Sequence, residues 1–119
     1  MKKKTRYAHY NINYHFVWIP KYRRQCLEKY KEKLEMVIRN CSKDFEIQAL
    51  EIQPDHIHCF LSAPPRYSPS QIAAILKGAS SHSLGLDFIG WTRTYYVGTA
   101  GNVSAETIKH YIAECQSDK

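Results

Sequence analysis

Phe45-Glu46-Ile47-Gln48-Ala49-Leu50-Glu51-Ile52-Gln53-Pro54-Asp55-His56-Ile57-His58-Cys59-Phe60-Leu61-Ser62 is the stretch on which the fold turns. Phe45, Ile47 and Ala49 alternate with Glu46 and Gln48, the two-residue period of a strand with one buried face. Pro54-Asp55 breaks the run, and residues 56 to 62 resume it with strand-forming types. So short a connection predicts antiparallel pairing of the two strands. The second strand also carries chemistry. His56 and His58 flank Ile57, and on a strand positions i and i+2 share a face. Imidazoles about 7 Å apart on that repeat are able to converge on one divalent cation, while Ile57 points into the other layer. Taken alone, such a pair is more often a polar patch on a wetted surface. Asp55 is a candidate helper near such a cation, but the same alternation puts its side chain opposite His56, which counts against that part.

Upstream, Tyr7-Ala8-His9-Tyr10-Asn11-Ile12-Asn13-Tyr14-His15-Phe16-Val17-Trp18-Ile19 is aromatic and β-branched and predicts a strand that Pro20 stops. Leu27, Tyr30, Leu34, Val37, Ile38 and Cys41 then fall at three- and four-residue steps, predicting a helix from about 24 to 42. Downstream, residues 63–67 form a loop. Ser68-Pro69-Ser70-Gln71 combines an N-cap, a first-turn proline and a capping-box glutamine. Ile72, Ile75, Leu76 and Ala79 make the apolar face of that helix, and residues 80–83 either continue it or fray. Trp91 to Val97 predicts a fourth strand, residues 98–102 a turn, and Ser104 the start of a last helix. The order is strand, helix, strand, strand, helix, strand, helix. It predicts an α+β fold: a ferredoxin-like, RRM-like antiparallel sheet with two helices on one face and an extra C-terminal helix. His56 and His58 then sit on a central strand.

The totals bound the function. At 119 residues the chain reads as one domain, 1–119. A mean hydropathy of -0.50 and the lack of any long apolar run argue against a membrane protein. Met1-Lys2-Lys3-Lys4 is not followed by an apolar signal core. The four cysteines form no Cys-x-x-Cys pair, which argues against a zinc ribbon and for a reduced, cytoplasmic location. The net charge is +6, with basic residues gathered at Lys2-Lys3-Lys4-Thr5-Arg6 and Lys21-Tyr22-Arg23-Arg24. Such a surface attracts phosphates, and nine tyrosines with two tryptophans offer stacking platforms for unpaired bases.

Neither a Walker-type phosphate loop nor a Gly-x-Ser-x-Gly elbow is present. What remains is metal-assisted chemistry at the histidine pair, where a cation polarises a phosphoryl oxygen and stabilises a leaving alkoxide. The nucleophile is then a water or a side-chain oxygen. A tyrosine serves this role in covalent catalysis, but a phenol with a pKa of about 10 needs a nearby metal, base or positive field.

Five segments in order resemble the single-tyrosine HUH transposases, the small TnpA-type and REP-associated enzymes of the simplest insertion sequences. Tyr14-His15-Phe16-Val17-Trp18 with Lys21-Tyr22-Arg23-Arg24 looks like their opening signature, and Asp55-His56-Ile57-His58 like their His-hydrophobic-His metal motif. Residues 63–70 and Leu76-Lys77-Gly78-Ala79-Ser80-Ser81 resemble the region of their second helix. Residues 96–112 resemble the segment that bears the catalytic tyrosine. The resemblance spans nearly the whole chain.

It implies that Tyr111 attacks a phosphodiester of single-stranded DNA, leaving a 5′-phosphotyrosine link and a free 3′-hydroxyl. It implies a divalent metal on His56 and His58, Mg²⁺ in the family with Mn²⁺ as the alternative. It also implies DNA hairpins as partner and a homodimer whose active sites are shared between subunits. Lys21, Arg23, Arg24 and Lys77 are the candidate DNA contacts. The family places a glutamine four residues after the tyrosine as third ligand, and here Cys115 stands there. Glu114, Gln116 or water are left as candidates. His9, His15 and His82 have no ligand spacing and read as ordinary polar residues. His110 points about 100° from Tyr111 on a helix and is a poor base for it. Three other readings stand beside this one. They are a domesticated relative acting on genomic palindromes, a non-catalytic ferredoxin-like single-stranded nucleic-acid-binding protein, and a zinc hydrolase using His56, His58 and Cys115. RNA-binding sheets of this shape display stacking aromatics where these histidines stand.

Overall fold

The computed structural model describes residues 3–4, 9–99 and 113. A short ribbon pairs β1 (Lys3–Lys4) with β2 (His9–Tyr10). There follow β3 (Asn13–Trp18), α1 (Lys31–Arg39), β4 (Glu46–Gln53), β5 (His56–Ser62), α2 (Pro69–Leu84) and β6 (Tyr96–Thr99). The last four strands form one sheet in the order β4-β5-β3-β6, every neighbour antiparallel. This is the ferredoxin-like arrangement that the sequence predicts, with β5 and β3 at the centre. Among the described residues, no helix is long and apolar enough to cross a membrane.

Alternation sorts the sheet into two faces. Phe16 and Trp18 of β3, Ile57, Cys59 and Leu61 of β5 and Ile52 of β4 are buried in one core with Leu34 and Ile38 of α1 and Ile72, Ala73 and Leu76 of α2. Each such side chain, taken out of water, contributes about 1.5–3 kcal/mol. The opposite face carries His15 and Val17 of β3 in register with Phe60 and His58 of β5. A bulge between Ile47 and Ala49 resets β4. Phe45 and Ile47 face the core before it, and Leu50 and Ile52 after it, so the alternation expected to run through Ala49 changes phase there.

The predicted helix from 24 to 42 is shorter than expected. Lys21–Arg23 and Glu28–Tyr30 are single 3-10 turns, and α1 begins only at Lys31. Tyr22 and Arg23, just before the expected start, hold left-handed φ values of 60° and 52°, and Arg24 at that start is extended, with φ of -64° and ψ of 139°, so no continuous helix begins there. The Leu27 amide donates to the Pro54 carbonyl at 3.0 Å, tying this segment to the hairpin turn. The predicted strand from Trp91 to Val97 is also shorter, because Trp91 makes one bridge to Pro20 and β6 starts at Tyr96. Between them, the Thr92 and Thr94 carbonyls accept from Lys77 Nζ at 2.6 and 3.4 Å. The strand expected from 7 to 19 is split, with Asn11 and Ile12 separating β2 from β3. Gly98 and Thr99 complete β6 and do not open a turn. The rest of that turn and the helix from Ser104 lie outside the described residues, apart from residue 113, which is helical.

α2 follows its sequence closely. The Ser68 hydroxyl accepts the Gln71 amide, and the Gln71 side chain accepts the Ser68 amide. The serines at its far end do not fray it. Ser80 and Ser83 hydroxyls donate back to helix carbonyls, and the helix stops at Gly85, whose φ of 78° and ψ of -164° suit only glycine. We expect Ser68→Ala to lower stability by about 1 kcal/mol and Leu76→Ala by about 2–5 kcal/mol, both measured by urea unfolding.

Candidate active site

His56 and His58 project from β5 on the face away from the helices, while Ile57 between them is fully buried in the core. Their ring centroids lie 4.7 Å apart with the planes at 72°. The strand reading of this pair therefore holds in the structure, and each ring has a partner behind it.

Behind His56 stands Asp55. Its Oδ1 accepts from His56 Nδ1 at 2.7 Å, and its Oδ2 accepts from Arg23 Nε at 2.8 Å. Alternation predicts the opposite direction for this carboxylate, and the structure corrects that expectation. Asp55 belongs to the turn before β5, where the strand period does not apply. Burial alone would raise the Asp55 carboxyl. The hydrogen bonds and charges of His56 and Arg23 outweigh it and hold the group below the usual carboxylate range. An ionised carboxylate only accepts, so the proton of a neutral His56 sits on Nδ1 and Nε2 presents its lone pair.

Behind His58 stands His15 of β3. His15 Nε2 lies 3.0 Å from His58 Nδ1. The His15 ring is 3% exposed and stacks on Phe60, with centroids 4.0 Å apart and an angle of 8°. Tyr96 meets it edge-on at 6.1 Å. Burial, and then His58 beside it, push His15 down to about 4. His58 is lowered too, by burial first and then by His56, with Glu51 on β4 pulling the other way. Both shifts favour neutral imidazole at His15 and His58, the form that binds metals. Sequence spacing gives His15 no such role. Its nearness to His58 arises only once β3 pairs with β5, Val17 opposite His58 and His15 opposite Phe60.

The basic residues are distributed unevenly. Arg23 reaches the site through Asp55. Lys21 packs its side chain beside Gly90, and its amide donates to the Gly90 carbonyl at 2.9 Å. Arg24 lines a cavity of about 210 Å³ with Cys26, Lys29, Tyr30, Asp87, Phe88 and Ile89. Lys77, expected among the DNA contacts, holds the Thr92 and Thr94 carbonyls from α2, on the helical side of the sheet. His82 is exposed on α2. Tyr111, Glu114, Cys115 and Gln116 lie outside the described residues. Among the described residues, no third His, Cys, Asp or Glu joins the pair in a metal-holding group.

The donor set suits a divalent cation with open positions. Neutral imidazoles ligate through Nε2 when Nδ1 is engaged by a carboxylate or another acceptor. Mn²⁺ accepts such nitrogens, and Mg²⁺ keeps several waters beside few protein ligands.

Residues 8–115 match the family of IS200-like transposases. The chain belongs to that family. It is 35% identical to the transposase of insertion sequence IS200 from Salmonella typhimurium LT2, over 95% of this chain and 85% of that one. It is 30% identical to the ISDra2 transposase TnpA of Deinococcus radiodurans, over 100% of this chain and 93% of that one. Among solved structures, a candidate transposase from D. radiodurans R1 superposes with a TM-score of 0.81 at 31% identity, covering 96% of this chain and 97% of the other. A REP-associated tyrosine transposase bound to a REP hairpin shares the fold, with a TM-score of 0.61 at 23% identity over 94% and 68% of the two chains.

The lowered His15 makes a pH prediction. Its folded value of about 4 lies below its ordinary 6.5, so as pH falls the unfolded chain takes up the proton first. The stability that neutral His15 contributes is complete above pH 6.5, is lost as pH falls, and is gone below about pH 4. We expect the melting temperature to drop across that window, and His15→Phe to remove part of the drop.

Proposed function

We propose that this IS200-like transposase cuts and rejoins single-stranded DNA at hairpin-bearing element ends, through a 5′-phosphotyrosine intermediate on Tyr111. The observation that carries the reading is the pair of imidazoles on a central strand, each with its Nδ1 engaged from behind. Placed there, His56 Nε2 and His58 Nε2 hold a divalent cation, Mg²⁺ or Mn²⁺, with Glu114, Gln116 or water as the third ligand. A cation so held supplies charge stabilisation at the scissile phosphate and the departing 3′-oxygen.

The chain's own groups carry the rest. The Tyr111 oxygen attacks phosphorus and loses its proton to solvent. The bond from phosphorus to the 3′-oxygen breaks, and that oxygen leaves as a hydroxyl. The new phosphotyrosine retains the energy of the phosphodiester, so attack by another 3′-hydroxyl reverses the step and joins strands without ATP. Lys21, Arg23 and Arg24 are assigned to the DNA backbone, which positions the strand but does not read it. Arg23 has a second task, since the same guanidinium holds Asp55. The hairpin-bound relative supports a folded single strand as the DNA form. We assign a homodimer in which one subunit's Tyr111 serves the partner's histidine pair.

The test is a covalent-adduct assay with labelled single-stranded hairpin DNA and Mg²⁺. Wild-type protein should give a denaturation-resistant DNA–protein band, abolished by EDTA and by Tyr111→Phe. Binding without any band assigns the chain instead to the non-catalytic, DNA-binding alternative. Shared sites predict that a mixture of Tyr111→Phe and His56→Ala/His58→Ala proteins regains the band, while neither alone gives it. Asp55→Ala should weaken Mn²⁺ binding about 10–100-fold, the usual loss on removing a residue that orients a metal-ligating histidine.

A further inference from the structure

The hydrogen bond between His15 and His58 has a direction that decides what His58 is able to do. Of the two facing atoms, His15 Nε2 and His58 Nδ1 at 3.0 Å, one carries the proton and the other accepts it. With the proton on His15 Nε2, a neutral His58 carries its own proton on Nε2 and has no lone pair there. With the proton on His58 Nδ1, the outward Nε2 is bare. We infer that His15 is a positioning residue for the site, its Nε2 accepting the His58 Nδ1–H so that His58 Nε2 is free to hold a cation. The inference rests on the metal reading above and extends it to a residue that no ligand spacing picks out.

Three observations bear on this bond, the first on its direction and the other two on how His15 is held. The first is the parallel at His56, where the acceptor is an ionised carboxylate and the direction is fixed: Nδ1–H to Asp55, Nε2 bare. His58 is engaged at the same atom from the same side, so an acceptor behind it leaves the same kind of nitrogen facing outward. The second is rigidity. His15 is packed between the Phe60 ring, 4.0 Å away and nearly parallel, and Tyr96 in an edge contact, so its Nε2 is held in place facing His58. The third is the orphaned far side of the ring. His15 Nδ1 is buried and has no hydrogen-bond partner among the described residues. No second group there sets the His15 tautomer, so the exchange with His58 is what sets it. A histidine placed only for packing would be better replaced by an apolar ring, because an unpartnered buried nitrogen is destabilising.

The test reads the proton directly. In ¹⁵N-labelled protein without metal, near neutral pH, two-bond imidazole correlation spectra distinguish an Nδ1–H from an Nε2–H ring. The expected result is the Nδ1–H form at His58. His15→Gln, whose side-chain oxygen is an acceptor at similar reach, should keep it, and His15→Phe should lose it. In parallel, Mn²⁺ titration calorimetry should show His15→Phe weakened about 10–100-fold and His15→Gln within about threefold of the parent, a range we set for a conservative acceptor exchange. An Nε2–H ring at His58 in the parent, or His15→Phe spectra and Mn²⁺ affinity matching the parent, overturns the inference. Parent protein that binds no Mn²⁺ overturns the metal reading instead, and the metal-free spectra still decide the role of His15.

Discussion

Two hydrogen bonds behind two imidazoles are the constraint on which the site depends. A histidine in water exchanges its proton between both nitrogens, and its ring rotates freely. Here Asp55 takes the Nδ1 of His56, and His15 faces the Nδ1 of His58. Each bond fixes a ring orientation and, with it, the atom that faces outward. In the cation site proposed here, these two rings are the ligands the sheet itself supplies, so the groups behind them matter as much as the rings.

The fold supplies those partners by two different means. His15 arrives through the sheet: β3 lies beside β5, both are central, and antiparallel register sets His15 diagonal to His58 on the same face. Asp55 arrives through the turn, and a second turn holds it. Arg23 reaches Asp55 from a corner where it and Tyr22 both take left-handed backbone angles. Such angles cost about 1–2 kcal/mol per residue outside glycine. The corner is held by the Arg23 amide on the Pro20 carbonyl and the Lys21 amide on the Gly90 carbonyl, both at 2.9 Å. Local cost at the corner is thus coupled to the placement of a carboxylate at the site, a pattern expected where function outweighs local preference.

Much of this was legible in the residues. The period of two around Ile57 placed both histidines on one face, Ser68-Pro69-Ser70-Gln71 marked the start of α2, and Pro54-Asp55 marked a hairpin whose antiparallel pairing the structure has. What escaped reading shares a cause. The late start of α1 and the short β6 both reflect contacts between distant segments: Leu27 with Pro54, Lys77 with Thr92 and Thr94. Local periodicity contains no record of them. Asp55 was misdirected because alternation was extended one residue past the strand into a turn. His15 was overlooked because its partner is 43 positions away in sequence, and only strand pairing brings them together.

In the proposed site, the outward nitrogens of His56 and His58 share one cation. Anomalous scattering from crystals soaked in Mn²⁺ tests it most directly. A single strong peak within ligating distance of both Nε2 atoms is the predicted result. A soaked crystal with no peak there, or with either ring ligating through Nδ1, contradicts it.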